Sequence, residues 1–248
     1  MKVLIEHNDK TLVALLDEPL DISIPLSPDG PRAWYVDRMN IRPVQGDGFI
    51  GDIAQGGSVN FRNIQFNPHG HGTHTESYEH VAAVQRPIGT LLSKYFFTAQ
   101  LMTLTPSQVG EDRIITKNQV EQQLENSVQA LVIRTLPNTE EKLNKDYSNT
   151  NFPYFEEEAL MYLADKNIQH LLVDLPSVDR EHDEGKLAAH KAFWKNGDTS
   201  RHQCTITEFV FVKNTISDGL YLLELQVAPF VNDAAPSRPV LYPLVEVK

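Results

Sequence analysis

The sequence predicts an α/β fold: a single domain over residues 1–248, with a mixed β-sheet or partly closed β-barrel at its core and helices flanking it. Three features carry that expectation. Short apolar runs outnumber helical patterns and mix with them in irregular order. A chain of 248 residues with 41% hydrophobic content can bury a substantial core. No repeat or low-complexity tract interrupts it, and its 15 prolines are scattered rather than pooled into a linker.

Residues 2–5 and 11–16, apolar around the polar stretch Glu6–Lys10, read as a hairpin. Asp21–Leu26 reads as a strand ending at a Pro- and Gly-rich loop, and Phe61, Ile64 and Phe66 mark a strand running into a histidine-rich segment. Thr116 or Asn118 is placed to cap a helix through Gln119–Glu125, followed by the strand Ala130–Thr135, whose β-branched density suits burial on both faces. Leu160, Leu163 and Ala164 recur at helical spacing within Phe155–Lys166, and Ile168–Leu175 is a compact apolar strand stopped by Pro176. Lys186–Trp194 reads as a helix with Gly197 beyond it, and Ile206–Lys213 and Leu220–Val227 as two more strands before a finish at Pro236, Pro239 and Pro243.

Composition removes several functional classes. There are 22 Lys and Arg against 33 Asp and Glu, a net charge of −11, so a phosphate backbone or anionic membrane surface is repelled and no nucleic acid or membrane partner is expected. No stretch approaches the roughly 20 apolar residues that a membrane span needs. The N-terminal Met1–Lys10 lacks the apolar core of a secretion signal, and the one cysteine, Cys204, fits a reducing compartment, so a cytoplasmic protein is expected. A single thiol also means that any metal site must use imidazole and carboxylate.

Such a site is suggested by one window. Nine histidines in 248 residues give about 0.4 per twelve by chance, yet residues 69–80 hold His69, His71, His74 and His80. In an extended strand, residues two apart share a face, which places His74 and Glu76 together. His69 has the wrong parity for a regular strand, but Gly70 and Gly72 allow a bulge or positive-φ turn that re-aims it. Imidazole plus carboxylate is the ligand set of a catalytic zinc or manganese site, zinc being the first choice. The bland reading is a histidine-rich surface loop, and His71 between two glycines reads as exposed or secondary. His7, His170 and His182 read as ordinary histidines. Asp174, Ser177 and Asp179 end a buried strand, where carboxylates bonding nearby amides explain them as well as function does. Trp34 and Tyr35 interrupt a polar loop; core packing is the simpler use, stacking on a planar substrate the other.

The segment Gly72-Thr73-His74-x-Glu76-x-x-x-His80 resembles the His-x-Gly-Thr-His-x-Asp-x-Pro-x-His signature of the metal-dependent cyclase, or bacterial-type kynurenine formamidase (arylformamidase), family. Asp21–Leu26 is similar to that family's opening, Asp174–Asp179 to its D-x-x-S-x-D segment, and His190 and Glu208 to its later His and I-x-E steps. The resemblance implies a swivelling β/α fold, a site for one or two divalent ions, a small-molecule carbonyl substrate and a homo-oligomer. By position it implies His74 and Glu76 at the first metal, Glu76 bridging to a second, His190 and Glu208 completing that second site, and His80 as the catalytic histidine. Three departures stand out. Gly70 occupies the place of the family's first histidine, so that ligand is His69 or His71, and His69 is taken here. Glu76 replaces Asp, moving the carboxylate by about 1.5 Å. Tyr78 replaces the proline before His80, and Lys195–Gln203 looks inserted, making His202 a rival to His190.

The chemistry implied is hydrolysis of an amide or cyclic amide C–N bond without an organic cofactor, His80 shuttling the proton to the leaving group. A lactonase, dehydratase or cyclase acting on another carbonyl compound, and a metal-binding scaffold without turnover, are the alternatives.

Overall fold

The computed structural model describes residues 1–125 and 127–246. Eleven strands form one mixed sheet. In chain order they are β1 (Lys2–His7), β2 (Lys10–Leu15), β3 (Leu20–Asp21), β4 (His74–Glu76), β5 (Phe96–Leu104), β6 (Ala130–Thr135), β7 (His170–Val173), β8 (Thr205–Glu208), β9 (Gly219–Glu224), β10 (Ala234–Pro236) and β11 (Val240–Glu246). Their spatial order is β1-β2-β11-β9-β5-β6-β7-β8-β4-β10, with β3 against β11. The four central strands β5 to β8 run parallel, and every neighbour outside them is antiparallel. The first and last strands of that path do not pair, so the open mixed sheet, rather than a closed barrel, is what forms.

The side-chain period of two explains the layering. Leu131 and Ile133 of β6 pack with Leu160, Leu163, Ala192 and Phe193 on the face covered by helices, while Ala130 and Val132 face Leu101, Leu172 and Val210 on the other. The helices are α1 (Ile88–Leu91), α2 (Lys117–Gln123), α3 (Glu157–Asp165) and α4 (Ala188–Phe193). Thr116, not Asn118, caps α2 through a capping box with Gln119.

Three departures from the sequence reading have physical causes. The longest strand, β5, carries the buried Gln100, which spoils an apolar run; its amide is satisfied by the Gln123 carbonyl and the Glu125 N–H. The Pro-rich tail contains two strands rather than a stop. β11 pairs with β9 through Val240–Pro243 and with β2 through Leu244–Glu246, so Pro243 sits at the changeover, where a missing N–H is tolerated. The Asp21–Leu26 strand is shorter than expected, because Ile24 N–H donates instead to Thr73 Oγ1 at 2.7 Å and Thr73 in turn donates to Phe209 O.

His170, at the start of β7, is buried against the Phe97 ring, with Nδ1 2.9 Å from Thr205 Oγ1. Burial, and secondarily Arg201, push its pKa from 6.5 down to about 3. The unfolded chain therefore takes up this proton before the folded one does, so the contribution of neutral His170 is complete above pH 6.5 and is lost as pH falls toward 3. Between pH 6.5 and 4 the parent should lose about 3 kcal/mol more stability than a His170→Gln variant, read from urea midpoints. Equal pH slopes would remove His170 from the acid sensitivity.

Candidate active site

β4 lies between β8 and β10, and all three of its residues are buried. Antiparallel register sets His74 directly opposite Glu208, so the two share a face, with His74 Nε2 3.4 Å from Glu208 Oε2. Glu76 points to that same face. Its Oε1 lies 3.0 Å from His190 Nε2, and its Oε2 lies 3.3 Å from His69 Nδ1 and 3.8 Å from His80 Nε2. The replacement of Asp by Glu thus leaves a carboxylate spanning the His69 and His190 sides.

His69 reaches this cluster from a turn rather than a strand bulge. Asn67 Oδ1 accepts from the backbone N–H groups of His69 and Gly70, an Asx-type turn that aims the ring inward. The two glycines act differently. Gly72 has φ +72°, whereas a Cβ on Gly70 would lie 2.7 Å from Val36 Cγ2, so Gly70 is needed for close approach. His71 is turned away and buried, not exposed: its Nδ1 accepts from Asn67 N–H at 2.9 Å and its Nε2 donates to Asp37 O at 2.7 Å. It lines a larger cleft of about 780 Å³ alongside Asp37 and Arg38, away from the cluster. Ser77 presents His80, its hydroxyl accepting from Glu79 N–H to start the short turn Tyr78–Val81.

His190 sits in α4, whose first free amides are capped by Asp179. The Asp179 carboxylate accepts from Ala189 N–H, from His190 N–H and from His190 Nδ1 at 2.5 Å. That bond fixes the proton on Nδ1 and leaves Nε2 directed at Glu76 and, at 3.6 Å, Glu208. Glu208 is buried rather than solvent-facing, accepting from Val178 N–H at 3.1 Å. His202 stacks on Tyr78 with ring centroids 4.5 Å apart and belongs to none of the convergent groups found among the described residues.

The electrostatics follow from this packing. Burial opposes ionisation of Glu76, but His80 and His190 beside it hold its carboxyl well below the usual range. Burial likewise disfavours a charged His69 or His190, yet the surrounding carboxylates raise both, His69 to about 10. These groups therefore attract positive charge into the cluster. Four of the buried atoms, His74 Nε2, Glu76 Oε1, Glu76 Oε2 and His190 Nε2, make no well-angled hydrogen bond and instead face other ligand atoms of the cluster at 3.0–3.4 Å. Unsatisfied polar atoms at this depth are costly unless something else satisfies them, and lone pairs converging this way suit a divalent cation. Within 4.8 Å of one another, ligand atoms of His69, His74 and Glu76 form one group that could hold an ion, and those of Glu76, His80 and His190 another.

A cavity of about 340 Å³ opens onto the cluster, lined by Trp34, His69, His80, Arg180, Leu187 and Glu208, among others. Trp34 packs edge-on against Phe152 at 5.9 Å, the packing use, and also lines this cavity. Asp174 follows the structural reading, accepting from Thr135 N–H and from Lys142 Nζ.

The Cyclase family model matches residues 20–180, which include the whole His69–His80 segment and Asp179. The chain belongs to the Cyclase family. This cyclase-family chain is 29% identical over 144 residues to a kynurenine formamidase from Bacillus mycoides, a match covering 55% of this chain and 64% of that relative. It thus spans just under two thirds of that protein's length. A predicted metal-dependent hydrolase from Bacillus stearothermophilus superposes with a TM-score of 0.64 at 18% identity, over 91% of this chain and 98% of that one. Isatin hydrolase A from Labrenzia aggregata, bound to benzyl benzoate, gives 0.64 at 14% identity, over 91% and 93%. At these identities the two structures show a common fold.

Two residues at the cluster are not candidate site residues in the sequence reading, although Asp179 reads there as a strand-end carboxylate bonding nearby amides, as it does. Asp179 was visible at a strand end, but its capping of α4 is a tertiary fact. Asp233, whose Oδ2 lies 2.8 Å from His69 Nε2 and 3.1 Å from His80 Nδ1, comes from the Pro-rich tail and carries no periodic signal. No helix among the described residues is long and apolar enough to cross a membrane.

Proposed function

We propose that this protein is a metal-dependent hydrolase that cleaves the C–N bond of a formamide-like or cyclic amide. One observation carries the reading: four atoms of His74, Glu76 and His190, buried without a well-angled hydrogen bond and converging beneath an open cavity. His69, His74 and Glu76 would hold one divalent ion, and Glu76, His190 and Glu208 a second, zinc being favoured by the imidazole-rich set and manganese the other choice. When bound, such ions would polarise a carbonyl and lower the pKa of water at the site to about 7.

The residues of the chain supply the rest. His80 Nε2, facing Glu76 and the cavity, takes the proton from the attacking water and returns it to the departing nitrogen. Asp179 keeps His190 in one tautomer, and Trp34 and Leu187 give the cavity an apolar wall for the acyl part of the substrate. A homo-oligomer belongs to the same reading. It is supported by the two-stranded arm Asn40–Pro43 with Arg62–Gln65, whose neighbourhood exposes Phe49, Phe61 and Ile64.

The test is metal analysis of the purified protein alongside hydrolysis of a panel of aryl formamides, cyclic imides and lactones. We expect bound zinc or manganese, turnover of at least one amide, loss of turnover after chelation and recovery on re-addition. Preference for lactones would favour the alternative carbonyl chemistry, and bound metal with no turnover across the panel would favour a scaffold.

A further inference from the structure

We infer that Asp233 is a positioning residue that locks His69 and His80 together, fixing the orientation of each so that the other nitrogen of either ring is aimed at Glu76 and is the one a cation there would take. An ionised carboxylate can only accept hydrogen bonds. Because one oxygen, Oδ2, contacts both His69 Nε2 and His80 Nδ1, each of those nitrogens must carry its proton and donate it. The opposite nitrogens, His69 Nδ1 at 3.3 Å and His80 Nε2 at 3.8 Å, then face Glu76 Oε2, where each gives a proton to that carboxylate or, once a cation displaces the proton, offers the cation a lone pair. The two rings lie 4.3 Å apart between centroids, so neither can flip without disturbing the other.

The carboxylate itself is held by backbone. Asp233 O accepts from Ser77 N–H at 2.9 Å, immediately after β4, and the following residue Ala234 pairs with Glu76 at the start of β10. Asn232 is pinned on the other side, its carbonyl accepting from Ile88 N–H and its side chain donating to Ala234 O. A residue on the last stretch of the sheet thus orients one imidazole proposed to hold a metal and another proposed to move protons. Its metal-binding consequence rests on the imidazole cluster, and only its kinetic consequence rests on the hydrolase reading.

The test compares the full-length parent with Asp233→Ala and Asp233→Asn, measuring zinc affinity by chelator competition, zinc stoichiometry at saturation, and kcat and KM on a panel substrate. For Asp233→Ala we expect zinc to bind about 10- to 100-fold more weakly with unchanged stoichiometry. At saturating zinc, kcat should fall about 10- to 100-fold while KM stays within about twofold, the pattern of a misaligned proton carrier rather than a damaged cavity. Asp233→Asn keeps an acceptor oxygen and should lie between the two; it also serves if the alanine variant does not fold. Zinc affinity and kcat both within about twofold of the parent would overturn the inference. So would loss of a whole zinc equivalent at saturation, which would make Asp233 a ligand. Should no panel compound turn over, the zinc arm still decides the matter.

Discussion

If Glu76 bridges the proposed metal centre, a Glu76→Gln variant will fail to retain metal on dialysis and will lose roughly 10³-fold of turnover, more than the 10- to 100-fold typical of residues that only orient ligands. The reason is that both halves of the cluster meet at this one carboxylate, Oε2 toward His69 and Oε1 toward His190. Gln preserves the volume of a fully buried side chain, so the sheet around β4 should hold. Its amide, however, brings no charge and presents N–H donors to lone pairs that need a cation. Added zinc should raise the melting temperature of the parent, since an ion bound only by the folded state stabilises it, and should leave the variant unmoved. Metal analysis, a rate assay and a thermal scan check this together. Undiminished metal content in the variant would remove Glu76 from the centre.

Replacing His80 by Ala should separate chemistry from metal binding. We expect metal content to be retained and turnover to fall about 10²- to 10⁴-fold, the range for losing a positioned acid–base group. His80 has 26% of its side chain exposed, close to the 21% of His69 and well above the 3% of His190, so the proposed proton carrier is open to the cavity. Turnover unchanged at equal metal content would end its proposed role.

The sequence revealed those parts of the centre that depend on local geometry. His74 and Glu76 share a face because the backbone of any strand alternates, and that is readable from two positions. His69 needed the further guess that nearby glycines would turn the chain; the turn is real, but Asn67 builds it, and Gly70 serves packing rather than flexibility. His190 and Glu208 were reachable only through resemblance, since nothing local announces that Glu208 will lie across from His74. Asp179 and Asp233 act through contacts with distant histidines, and a lone acidic residue in a loop looks the same whether it caps a turn or aligns an imidazole. For the fold, the buried β6 and β7 were evident from their apolar density. β5 and β11 were hidden by Gln100 and Pro243, two residues whose costs are cancelled by neighbours far along the chain.

The placement of β4 also dictates when the centre can exist during synthesis. Its two hydrogen-bonding neighbours, β8 and β10, begin at Thr205 and Ala234, so the ribosome must add about 130 residues beyond Glu76 before His74 and Glu76 gain a first flank. Until then the central parallel strands can form and bury their helices, but the nascent chain has no assembled cage with which to capture a stray ion.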